Sequence, residues 1–138
     1  MTKINLSAPQ IDLLFQSYML GMIVAHIPIF FEGIGLITLV FKFIFSLPVI
    51  FAIYFLYLWK CTQINSRPFF GAALVFTISL CLVVFIYFAM FYSENDFRLL
   101  YVFLILAAPS SLIACIYFAV RLWLRKKISD WPVEAKLK

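Results

Sequence analysis

Four long apolar blocks, separated by short polar links, take up almost the whole of this 138-residue chain. A block of ~20–25 residues, rising ~1.5 Å per residue, is long enough to cross a ~30 Å hydrocarbon core. With 66% hydrophobic and 12% charged residues, the chain has too little polar surface for a water-soluble globule. Within lipid every backbone N–H and C=O must find a partner inside the protein, which leaves helices and closed barrels. Barrel strands alternate apolar and polar side chains. The run Val49–Ile50–Phe51–Ala52–Ile53–Tyr54–Phe55–Leu56 is apolar on every face. The expected fold is therefore all-α, an integral membrane four-helix bundle forming one domain over 1–138 with no soluble domain.

The spans are expected at about 13–31, 34–59, 69–92 and 99–124, with a polar C-terminal tail over 125–138. Asp12 and Glu32 bound the first span, and Gly33 and Gly35 supply a tight turn after it. That first block is too long for a signal-peptide core and lacks a small-x-small site near its end, so it is expected to be retained. The link Lys60–Cys61–Thr62–Gln63–Ile64–Asn65–Ser66–Arg67–Pro68 is basic, whereas Ser93–Glu94–Asn95–Asp96 is acidic. Basic residues favour the cytoplasmic side of a membrane. Placing both termini in the cytoplasm (N-in/C-in) puts Lys3, Lys60, Arg67, Arg121, Arg125, Lys126, Lys127, Lys136 and Lys138 inside. Arg98, Glu94, Asp96 and Glu32 then lie outside. Tyr57, Trp59 and Trp123 would form the inner aromatic belt, with Trp131 on the inner leaflet and Tyr92 and Tyr101 near the outer face. The Phe, Ile, Lys and Asn usage suggests an AT-rich bacterial genome, hence the inner (cytoplasmic) membrane.

Helix association in lipid relies on close backbone approach through small side chains. Small residues recur every four positions in three spans: Ser17, Gly21 and Ala25; Ala73, Thr77 and Cys81; Ala107, Ser111, Cys115 and Ala119. Four-residue spacing keeps each set on one slowly drifting face. These are the expected packing faces, with the second span, rich in Phe, more peripheral. Pro48 and Pro109 are expected to kink their helices, because proline frees a carbonyl one turn back. Ser110 and Ser111 stand ready to satisfy the freed groups.

Ionisable residues inside a membrane are the first functional candidates. Seventeen residues separate Lys42 from Trp59, which puts it about 26 Å up a ~30 Å core. There it can snorkel to the outer boundary, pair with Glu32 or bind an anionic group. His26 shares that half of the bundle and is expected to hydrogen-bond a neighbouring helix. His26, Glu32 and Lys42 together define the expected polar site on the outer half of the first hairpin. Asp12 and Gln16 flank the other end of span one, where helix capping accounts for Asp12.

Catalytic sets are missing from the sequence. The three cysteines have no metal spacing, the single histidine cannot supply a bis-histidine haem site, and no glycine-rich phosphate loop occurs. The expectation is a non-enzyme that needs no cofactor or metal. The positive charge is spent at the span boundaries, so a nucleic-acid partner is not expected. The chain is expected to act by contact with another membrane protein, as an assembly factor, complex subunit or toxin-immunity protein, or to self-associate. The alternative is a small oligomeric transporter or channel for an ion or small solute.

Overall fold

The computed structural model describes residues 8–91 and 97–129. Those residues form four helices in chain order: α1 (Ile11–Phe30), α2 (Gly35–Ser66), α3 (Pro68–Met90) and α4 (Phe97–Ser129). No strand occurs among the described residues, and all four helices are long and apolar enough to cross a membrane. The acidic link around Glu94 and Asp96, Tyr92, Lys3, Trp131 and the last two lysines lie outside the described residues.

Each helix ends for a local reason. Gly33 adopts φ +75°, a conformation side chains resist, and so turns the chain from α1 into α2. Pro68 opens α3 at a position where its missing N–H costs nothing. Between α2 and α3 the expected polar linker is instead helical. α2 runs on to Ser66 after a single break at Lys60 (φ −113°, ψ 19°), beyond the apolar stretch that ends at Trp59. Ile64 and Asn65 are buried there, so the extra turns are held by packing that composition alone does not reveal. α2 and α4 likewise continue through Pro48 and Pro109. Ser110 and Ser111 donate to the carbonyls of Leu106 and Ala107. These are not the Ile105 carbonyl that Pro109 deprives of a donor.

α4 packs closely against both α1 and α3, while α2 packs less closely against α1 and α3. The α1–α4 contact turns on Gly21. A Cβ there would run into the backbone carbonyl of Ser110 and come within 2.9 Å of the Ala114 Cβ. Ser17 is also buried on this face, its hydroxyl donating to Leu13 O at 2.6 Å. α4 presents Ser110 and Ala114 to Gly21, one position before the expected Ser111 and Cys115; all four also line the interior. Ala25 and Ala107 are half-buried and Ala119 is buried.

The expected face of α3 is not a contact face within the chain. Ala73, Thr77 and Cys81 are exposed, and α3 instead buries Gly71, Ala72, Val75, Ser79 and Tyr87. Larger residues such as Val75 and Tyr87 fill the seam on this helix, so the small residues are left on the outward side.

At one end of the bundle Leu13, Leu14, Ile53, Tyr57, Phe118 and Leu122 share a core. Toward the other end, Phe103 of α4 meets Phe45 of α2, Tyr87 of α3 and Phe91 just after α3, at ring separations of 5.4, 5.9 and 6.0 Å. Gly21→Ala should destabilise the bundle by about 1–3 kcal/mol, the usual cost of overpacking. Thermal unfolding in a mild detergent checks this, and an unchanged midpoint would contradict the close approach of α1 to α4.

Candidate functional site

Two polar groupings stand out against the apolar body. The first lies where α1 turns into α2. His26 is 2% exposed. Its Nε2 lies 2.6 Å from the carbonyl oxygen of Gly35, so Nε2 carries the proton and donates. Thr38 Oγ1 lies 3.3 Å from the same nitrogen and donates to the Gly35 and Ile34 carbonyls at 3.0 and 3.1 Å. His26 thus ties α1 to the first turn of α2. Its other ring nitrogen, Nδ1, is buried without a hydrogen-bond partner.

Lys42 stands one turn beyond Thr38 on the same face of α2 and points inward. Its Nζ is buried with no hydrogen-bond partner. It does not pair with Glu32. Glu32 is exposed in the turn, and the ion pair among the described residues joins Asp12 to Arg125. The structure therefore brings His26 and Lys42 to one end of the interior and leaves Glu32 outside it.

Lys42 opens onto a cavity of about 340 Å³ between the four helices. Its walls are mainly aliphatic and aromatic, from Met22, Val49, Val83, Phe103 and Leu106 among others. The hydroxyls at the wall are already engaged. Ser46 donates to Phe43 O at 2.9 Å, Tyr18 meets Ser46 at 2.5 Å, and Ser79 donates to Phe76 O at 2.7 Å. Tyr18 also packs edge-on against Phe43. α2 meets α4 through large side chains rather than small ones, Phe45 against Phe103 and Tyr57 against Phe118.

The second grouping, at the opposite end, joins α1, α2 and α4. Tyr57 is 1% exposed; it donates to Asn65 Oδ1 at 2.9 Å and accepts from the Gln10 backbone N–H at 2.8 Å. Asn65 Nδ2 donates to Ala8 O at 3.2 Å. Arg125 donates to Gln10 Oε1 at 2.6 Å and to the Asp12 carboxylate at 2.8 and 3.4 Å. Lys126 donates to Ser66 O at 3.0 Å, beside the start of α3. Tyr57 is thus a buried hub and not an interfacial ring. Trp59 and Trp123 are exposed at this end, with the ammonium groups of Lys60 and Lys127 over their faces at 4.6 and 5.3 Å. Asp12 has a role that helix capping does not describe, as the ion-pair partner of the end of α4. A polar residue recurring near each of several helix ends was the available sequence signal; which ones meet depends on the break at Lys60.

No disulfide joins the three cysteines, and no group of three His, Cys, Asp or Glu side chains comes together among the described residues. Tyr57→Phe removes two hydrogen bonds from the polar hub and should cost about 1–3 kcal/mol. Asp12→Asn, at a partly exposed ion pair, should cost ~1 kcal/mol or less. Paired unfolding curves test the order, and a larger loss from Asp12→Asn would contradict it. No family model, curated protein or solved structure matches the chain, so its functional reading rests on this geometry.

Proposed function

We propose that this chain is an integral protein of a bacterial inner membrane that acts without catalysis, by contact with another membrane protein. The orientation has both termini and the α2–α3 link in the cytoplasm. Charge asymmetry supports it: Lys60, Arg67, Arg121, Arg125, Lys126 and Lys127 belong to one end of the bundle, where basic residues mark the cytoplasmic side. The polar end also holds the starts of α1 and α3 beside the ends of α2 and α4, as the contacts of Asp12 with Arg125 and of Lys126 with Ser66 require.

The observation that carries the contact reading is the outward face of α3. Ala73, Thr77 and Cys81 lie exposed at four-residue spacing, and Thr77 Oγ1 bonds back to Ala73 O at 3.0 Å. That leaves a shallow strip where a foreign helix can approach the backbone closely. Exposed Phe70 and Phe85 flank it. Roles compatible with such a surface are an assembly factor, a complex subunit or a toxin-immunity protein. The central cavity favours a second reading, a small oligomeric transporter or channel.

A photo-crosslinking residue at Thr77 should capture a second membrane protein, while one at Ile44, on an exposed face of α2, should not. Adducts only to lipid at both positions would defeat the contact reading, and an ion leak from liposomes holding the purified chain alone would favour transport. Reporter fusions at Asn65 should report a cytoplasmic position; an external one would overturn the orientation.

A further inference from the structure

We propose that the cavity between the four helices is a binding site for a single long-chain carboxylate, with its head group held by Lys42. This rests on the interior of the bundle and not on the contact reading, which uses the outward face of α3.

An ammonium group carries three donors and no acceptor, and an isolated one is costly to bury in apolar surroundings. Lys42 Nζ is buried and none of those donors is used. Nothing described nearby can neutralise it. The carboxylates among the described residues are those of Asp12, paired with Arg125 at the far end, and Glu32, exposed in the turn. The hydroxyls one turn to either side, of Thr38 and Ser46, donate to backbone carbonyls. A bound anion would supply the missing acceptors and the missing charge.

The shape and chemistry of the walls define what else the anion carries. On α2 the lining runs from Thr38 to Tyr57, a rise of about 28 Å along the helix. One lipid chain spans about half of a ~30 Å hydrocarbon core, so the lining is long enough for an extended chain. The 340 Å³ volume lies at the small end of the ~300–1,000 Å³ typical of small-molecule sites, which suits one chain and not two. A phosphodiester head with further polar groups would find a single cation and hydroxyls already committed to the backbone. A carboxylate needs only one cation, and two oxygens can share its donors. In this arrangement the head lies at Lys42, near the α1–α2 turn, and the chain runs toward Tyr57.

Native mass spectrometry of the detergent-purified protein tests this, with palmitate and methyl palmitate as probes. Wild type should hold one palmitate, and Lys42→Arg should retain it. Lys42→Met should bind about ten- to a hundredfold more weakly, as expected for losing a charge-assisted hydrogen bond. Methyl palmitate should bind wild type no better than Lys42→Met does. Lys42→Met removes an unpaired buried charge, so it should unfold no earlier than wild type, which separates lost binding from lost fold. Equal palmitate binding by wild type and Lys42→Met, equal binding of the ester and the acid by wild type, or no palmitate adduct on wild type would each overturn the proposal.

Discussion

The close approach of α1 to α4 at Gly21 sets the spacing of the whole bundle. Helices in an apolar medium gain nothing from hiding apolar side chains from one another, so tight association depends on van der Waals contact and polar links. Gly21 provides the contact by letting the Ser110 carbonyl and Ala114 come against its backbone. α3 then packs on the other side of α4. α2 completes the ring through Phe45 and Tyr57, side chains too large to allow the same proximity. The cavity is the geometric result of three helices drawn together and a fourth held off by its aromatics.

Polar residues finish what packing leaves open, and they do so at the two ends. At the turn between α1 and α2, His26 donates to the Gly35 carbonyl and so ties α1 to the first turn of α2. At the opposite end Tyr57, Asn65, Gln10 and Arg125 connect helices far apart in sequence. Most of these bonds are neutral or partly exposed, so each contributes modestly; their value lies in fixing which helix ends meet. The break at Lys60 brings Asn65 to Tyr57, because it lets the final turns of α2 change direction. Between these two polar ends Lys42 is the exception, a charged group that no described residue satisfies.

The four helices were legible in the sequence because 20 or more consecutive apolar residues admit few other structures. The small-residue stripe of α1 was legible too, since Gly21 has no alternative to close approach. The stripe of α3 misled, because spacing marks a face without saying whether that face turns inward. Ala72, Val75 and Ser79 have nearly the same periodicity as Ala73, Thr77 and Cys81, one or two positions away, and only the fold chooses between them. The end that holds Tyr57 was harder still. Tyr57 beside Trp59 resembles an interfacial belt, and its burial depends on Asn65 returning from beyond a break that Lys60 does not announce. For Lys42, distance along the helix does not say which way the side chain points. One turn from Thr38 and Ser46, it faces the interior, whereas its neighbour Phe41 is exposed.

The inward orientation of Lys42 joins the packing of the bundle to its candidate chemistry, and amine reactivity tests it most directly. An aqueous acylating reagent applied to the folded protein in detergent, with modified residues located by mass spectrometry, reads each lysine separately. Lys127, exposed on α4, should react quickly, while Lys42 should stay unmodified until the bundle is unfolded. Modification of Lys42 at the rate of Lys127 in the folded protein would show its ammonium at the surface and contradict the account.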